Sequence, residues 1–201
     1  VATAGNIKQY IAYTANGLVG VDAKTGTFLW NYDKTKGPMG MSMQTPVARD
    51  GIVYSGAGRV GGGAVRLTAA AGAVKAEEVY FDPGLPSAIG GEVLVGEHLY
   101  GTGQTTLMAV EFRTGKIAWS DRSIAPASVC YADGMLYLHG EAGDVALVEA
   151  TPQAYRERGR FAPPNQPKHG NRMEKSWAYP IISDGRLYIR DLDSLWCYDV
   201  K

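Results

Sequence analysis

Leu18-Val19-Gly20-Val21-Asp22-Ala23-Lys24-Thr25-Gly26-Thr27-Phe28-Leu29-Trp30 and Leu107-Met108-Ala109-Val110-Glu111-Phe112-Arg113-Thr114-Gly115-Lys116-Ile117-Ala118-Trp119 carry one pattern twice. Leu, Val, an acid, Thr, Gly and Trp recur in register between them. Three weaker copies keep the frame: Ala64-Val65-Arg66-Leu67-Thr68-Ala69 with Gly72 behind it, Val145-Ala146-Leu147-Val148-Glu149-Ala150, and Leu195-Trp196-Cys197-Tyr198-Asp199-Val200. The acid-like positions 22, 68, 111, 149 and 199 are spaced by 46, 43, 38 and 50 residues. Their mean, about 44 residues, lies in the window for one four-stranded blade of a β-propeller.

A second marker precedes each copy: a turn, then a short apolar run ending at Tyr. It reads Asp50-Gly51-Ile52-Val53-Tyr54, Gly96-Glu97-His98-Leu99-Tyr100, Asp133-Gly134-Met135-Leu136-Tyr137 and Asp184-Gly185-Arg186-Leu187-Tyr188. Asp-Gly between β-rich runs signals a hairpin, because Gly accepts positive φ without steric cost. Each unit therefore reads as strand A, Asp-Gly turn, strand B, variable loop, strand C, Thr-Gly turn, strand D. No segment sustains a 3.6-residue apolar period, so little helix is expected. The blades are expected at about 1–33, 43–82, 88–121, 124–161 and 177–201, the first short in strand A and the last without strand D. Five blades with ragged ends predict an all-β, incomplete ring, the full one having about seven to eight.

Composition agrees. Gly accounts for 26 of 201 residues, about 13% against a usual share of about 7%, as many tight turns require. With 45% hydrophobic residues the chain can fill a core. Lys+Arg and Asp+Glu number 20 each, which removes the electrostatic case for a dedicated nucleic-acid or membrane-surface binder. No apolar run approaches the roughly 18 residues of a transmembrane segment. The chain opens Val1-Ala2-Thr3 with neither an initiator Met nor a signal-peptide pattern, and is expected to be processed or incompletely represented there. Cys130 and Cys197 lack zinc-ligand spacing and read as small apolar residues, a single bridge being the less favoured alternative.

The unit from Asp22 through Thr25-Gly26 to Trp30 resembles the tryptophan-docking repeat of quinoprotein dehydrogenases and of the wider pyrroloquinoline-quinone-like (PQQ-like) β-propeller family. So does the unit ending in Thr114-Gly115 and Trp119. Trp177-Ala178-Tyr179-Pro180 and the run from Asp184 to Asp199 are similar to the C-terminal end of secreted bacterial members. The resemblance gives Trp30 and Trp119 the role of interblade wedges, with Gly26 and Gly115 closing the turns that aim them. It implies a periplasmic or extracellular location. Some members bind PQQ with Ca²⁺ as alcohol or sugar dehydrogenases, whereas others are binding or assembly scaffolds. The vicinal Cys-Cys pair of the dehydrogenases is absent, as is any calcium loop of the expected spacing, so no metal site is expected. A scaffold is the leading expectation; the C-terminal part of a PQQ- and calcium-dependent dehydrogenase is the alternative.

In a propeller the B–C loops and the D–A connections open on one face, where a protein or small-molecule ligand is expected. That places Arg59 in the Gly56–Gly63 loop and His169 in the connection from Phe161 to Ser176 there. Gln44, Ser128, Trp177 and Tyr179 stand at the strand-A entrances. Each has a bland reading. The glycine loop lacks the Lys-Ser/Thr of a phosphate-binding loop. The Pro-rich connection reads as solvated and extended, and a lone loop His usually faces solvent. Met39, Met41 and Met43 alternate as an adaptable apolar edge; turn chemistry accounts for Asp191 and Asp193. Beyond that face, the expected partners are the remaining blades of the ring or a second half-ring of the same chain.

Overall fold

Period-2 patterning and frequent turns leave the chain one way to bury its apolar residues, as short antiparallel meanders stacked face to face. A computed structural model describes residues 1–37, 43–171 and 174–200. The first meander is β1 (Ala2–Ala4), β2 (Ile7–Thr14), β3 (Gly17–Asp22) and β4 (Phe28–Tyr32). The second is β5 (Val47–Arg49), β6 (Ile52–Ala57), β7 (Gly61–Ala70) and β8 (Ala73–Asp82). The third is β9 (Glu92–Val95), β10 (His98–Thr102), β11 (Thr106–Glu111) and β12 (Ile117–Arg122). The fourth is β13 (Ala127–Ala132), β14 (Met135–Gly140), β15 (Val145–Glu149) and β16 (Glu157–Phe161), and β17 (Ile181–Ser183), β18 (Arg186–Asp191) and β19 (Ser194–Asp199) end the series. Every sheet pairs only neighbours in sequence, and the last has three strands. Among the described residues there is no helix. The molecule is an all-β, open arc of five propeller blades.

Register identifies the equivalent residues. Tyr54, Tyr100, Tyr137 and Tyr188 lie opposite Ala64, Ala109, Leu147 and Cys197. Two residues further on, Ile52 meets Arg66 where His98 meets Glu111, Met135 meets Glu149 and Arg186 meets Asp199. The second-blade residue equivalent to the recurring acid is thus Arg66, not Thr68, because the β7–β8 hairpin runs further before its Ala71-Gly72 turn.

Each junction between blades is one apolar cluster. Leu18 and Trp30 meet Val53 and Val65 between blades one and two. Tyr54 and Ala64 meet Leu99 and Val110 between two and three. Tyr100 and Leu107 meet Leu136 and Val148 between three and four, and Tyr137 and Val145 meet Leu187 and Ile189 between four and five. Trp30 is 5% exposed and its Nε1 donates to Gln9 Oε1 at 2.6 Å. Trp119 is half-buried; its ring meets those of Tyr100 and Tyr155, and its Nε1 donates to Thr151 O at 2.7 Å.

The β3–β4 turn is closed by Gly26 N donating to Asp22 O, with Lys24 N and Thr25 N on Asp22 Oδ1 at 2.8 Å. Those backbone donors hold the Asp22 carboxyl below its ordinary pKa. The β11–β12 turn repeats the bond from Gly115 N to Glu111 O. Gly26 and Gly115 both sit in the left-handed region, at φ 74° and 75°. A Cβ on Gly26 meets open space, whereas one on Gly115 stands 2.5 Å from the Tyr80 ring of the preceding blade. Gly115→Ala should therefore cost about 2 kcal/mol or more and Gly26→Ala about 1 kcal/mol, read from urea unfolding. Trp30→Ala should cost about 3–5 kcal/mol, and half-buried Trp119→Ala about 2 kcal/mol.

Candidate functional site on the loop face

One register position governs this face. It is four residues beyond the start of B–C pairing and is held by Tyr13, Gly56, Thr102, His139 and Arg190. Tyr13 Oη donates to Thr35 O. Thr102 Oγ1 donates to Ala127 O at 3.1 Å and lies 3.1 Å from Ala127 N. His139 Nδ1 lies 3.1 Å from Ala178 O. Since a carbonyl only accepts, that nitrogen carries the proton. Three unlike side chains thus grip the backbone that leads into the next blade.

Gly56 has no side chain to grip with; a Cβ there would stand 2.6 Å from Pro86 O. Tyr54 Oη donates to Pro86 O at 2.6 Å instead, and Gln44 Nε2 donates to Ala88 O. Gln44 is 5% exposed, and its Oε1 has no hydrogen-bond partner. Thr102 O accepts from Ser87 N and Ala88 N, tying the same connection from the other side. The chain then runs through Gly90 and Gly91. A Cβ on Gly90 would collide with Ala127 O, and one on Gly91 would stand 2.6 Å from Tyr179 Oη.

Of the six residues expected here, Gln44, Ser128 and Tyr179 close around 88–91, and Trp177 joins them through Ser128. Ser128 is 2% exposed and its Oγ donates to Trp177 O at 3.1 Å. Trp177 Nε1 donates to Glu141 Oε1 at 3.0 Å. Tyr179 keeps 43% of its surface, and burial of its hydroxyl end, with Glu92 nearby, raises its pKa. The other two stand apart. Arg59 is exposed in the turn between β6 and β7, at φ 67°. His169 Nε2 lies 3.0 Å from Oδ2 of Asp191, which is 3% exposed.

Two expectations are corrected. The Gly56–Gly63 segment is strand except for a short turn, since β6 ends at Ala57 and β7 starts at Gly61. Its glycines let neighbours close in: a Cβ on Gly63 would stand 2.8 Å from Tyr32 Oη. The connection after Phe161 is anchored, not simply solvated. Pro164 O accepts from Trp196 Nε1, Gln166 Nε2 donates to Gly143 O, and His169 meets Asp191. Met43 is exposed at 46%, while Met39, Met41 and Arg172 lie outside the described residues. Asp191 is buried and Asp193 exposed in the β18–β19 turn. Both cysteines are free, and among the described residues no cluster of His, Cys, Asp and Glu could hold a metal.

Sequence reasoning passed over Glu92 and His139. Glu92 Oε1 is sealed from solvent without a partner, and burial lifts the carboxyl well above its ordinary pKa. The charged residue directly after Gly90-Gly91 was the available signal. His139 is fully buried; its Nε2 has no partner and burial lowers its pKa.

A family profile described as "Outer membrane protein assembly factor BamB", of PQQ-repeat type, matches residues 2–152. No curated protein matches the chain. The crystal structure of BamB from Moraxella catarrhalis is 14% identical over 97% of this chain and 67% of that one, with a TM-score of 0.46. The computationally designed Ika8 protein is 16% identical over 99% and 57%, with a TM-score of 0.66. The N-terminal domain of Nup159 is 12% identical over 92% and 51%, with a TM-score of 0.56. The chain spans 57% and 51% of the latter two, whose likeness is one of fold.

Glu92 yields a pH test. Burial holds its pKa higher in the folded chain than in the unfolded one, so it withdraws stability as pH rises above the ordinary Glu range toward the folded pKa. Glu92→Gln should remove that slope, at most about 1.4 kcal/mol per pH unit. Urea midpoints of the two proteins should converge near pH 4 and separate toward pH 7, the variant being the more stable.

Proposed function

The chain belongs to the PQQ-repeat propeller family described as outer membrane protein assembly factor BamB, and on that premise we propose that it is a binding and assembly scaffold. One observation carries the reading. Gln44, Ser128, Trp177 and His139 direct their hydrogen-bonding groups at neighbouring backbone or at Glu141. Their polarity holds blades together, and groups gripped in this way are not poised for chemistry on a substrate.

In this reading the two units ending in Trp30 and Trp119 are docking repeats. The loop face is the recognition surface, with Arg59 and Tyr179 as its exposed contacts on a rigid support. Family membership supports a periplasmic or outer-membrane-associated location. Whole-protein partners follow from the same premise: a protein seated on the loop face is favoured over a small molecule, because Gln44 Nε2, Ser128 Oγ, His139 Nδ1 and Trp177 Nε1 are already engaged.

A photo-crosslinking residue placed at position 59 or 179 tests this in cells, with position 28 on the far side of blade one as the control. A discrete protein adduct at 59 and 179 and absent at 28 is expected. Stoichiometric PQQ binding with Ca²⁺ and dye-linked alcohol oxidation by the purified chain would overturn the scaffold in favour of a dehydrogenase.

A further inference from the structure

Blade four and the two connections that bracket it enclose a cleft of about 330 Å³ on the loop face. One wall is the β12–β13 connection and another the β14–β15 turn, with Arg160 of β16 and Lys175 of the connection before β17 at its sides. Backbone bonds fix these walls. Glu141 N donates to Pro126 O at 3.0 Å, tying one to the other, and Gly140 N donates to Asp144 O at 2.8 Å within the turn. The volume is at the lower end of the roughly 300–1,000 Å³ of ligand sites, room for a single side chain.

The lining is apolar at Ile124, which is 8% exposed, and at Ala125 and Pro126. Its charges pair off except one. Arg160 Nε and Nη2 donate to Glu157 Oε1 and Oε2 at 3.0 and 2.7 Å. Lys175 Nζ lies 3.8 Å from Glu141 Oε2, while Glu141 Oε1 accepts from Trp177 Nε1. The half-buried Asp144 side chain has no partner among the described residues. Arg160 and Lys175 are thus each matched by a carboxylate, and Asp144 leaves the cleft with one negative charge in excess. Apolar surface beside an unmatched carboxylate is complementary to a cation carried on an aliphatic stem.

We propose, on the scaffold reading above, that this cleft receives an arginine side chain of the protein seated on the loop face. Its stem lies along Ile124 and Pro126 and its guanidinium donates to Asp144. Arginine suits the place better than lysine, being planar, more weakly hydrated and able to engage both carboxylate oxygens. An anchored arginine in a preformed cleft is the kind of contact that dominates the energy of an interface.

Titration of the isotope-labelled chain with the capped peptide acetyl-Ala-Arg-Ala-amide, followed by amide chemical shifts, tests this. Saturating shifts confined to the β12–β13 connection and the β14–β15 turn are expected, with a Kd on the order of 1 mM for a single anchor. Acetyl-Ala-Glu-Ala-amide at the same ionic strength should bind about tenfold more weakly or not at all. Asp144→Asn keeps the shape of a side chain that nothing in the fold grips. The urea midpoint should therefore hold, while the arginine peptide binds about tenfold or more weaker. Absence of saturable shifts at these residues would overturn the proposal, as would equal affinity for the two peptides or an unchanged affinity in Asp144→Asn. Tighter binding of free arginine than of the capped peptide would reassign the cleft to an amino acid. The crosslinks at 59 and 179 report on the scaffold reading separately, because neither residue lines this cleft.

Discussion

A four-stranded antiparallel sheet with apolar side chains on both faces cannot exist alone in water, and that constraint organises the whole molecule. The blades alternate strictly: Tyr54 points forward into one cluster while its neighbour Val53 points backward into another. Each blade is thus the cover of the one before it and is covered by the one after it. The four clusters form a series in which every member shares a sheet with the next. Burying a Leu or Tyr at each position is worth about 1.5–3 kcal/mol, so the junctions, not the hairpins, hold most of the stability.

Apolar contact alone leaves neighbouring blades free to slide, and the polar grips remove that freedom. A side chain on strand B that bonds a carbonyl of the incoming connection fixes the height at which the next inner strand starts. Tyr13, Thr102 and His139 do this with a phenol, an aliphatic hydroxyl and an imidazole. Blade two does it with Tyr54 and Gln44 around a glycine. Only the geometry is common, a donor within reach of a carbonyl, so the repeat shows no constant residue there. Arg190, the fifth at this position, turns Nε to Leu192 O in its own hairpin.

This explains which features could be read from the sequence. The blade period and the Asp-Gly and Thr-Gly turns were legible because register and positive φ admit few residue types, and errors there flip a strand's faces. The position of Arg66 was not, because the longer β7–β8 hairpin keeps the same pairing with a different distance to its glycine. The run from Gly56 to Gly63 invited a loop reading, since a loop and a close approach both call for glycine. The close neighbours distinguish the two: Pro86 O at Gly56, Pro83 at Gly61, the Tyr54 hydroxyl at Gly62 and the Tyr32 hydroxyl at Gly63. The connection after Phe161 looked solvated for a similar reason. Its anchors at Gly143, Asp191 and Trp196 come from two different blades.

The residues expected to form a ligand site divide by the same logic. Gln44, Ser128 and Trp177 stand where strand A begins, and that is where a junction needs donors, so polarity at those positions arises whether or not a ligand binds. Glu92 differs. It stands at the same kind of entrance, but its Oε1 meets no donor, and burial raises its pKa, which opposes folding once the carboxyl has to ionise. Glutamine would fit the same space without ionising. A carboxyl retained there at a cost in stability is not accounted for by the packing that explains its neighbours. It therefore marks the inner end of β9, beside Gly91 and Tyr179, as the part of this face least explained by assembly of the blades.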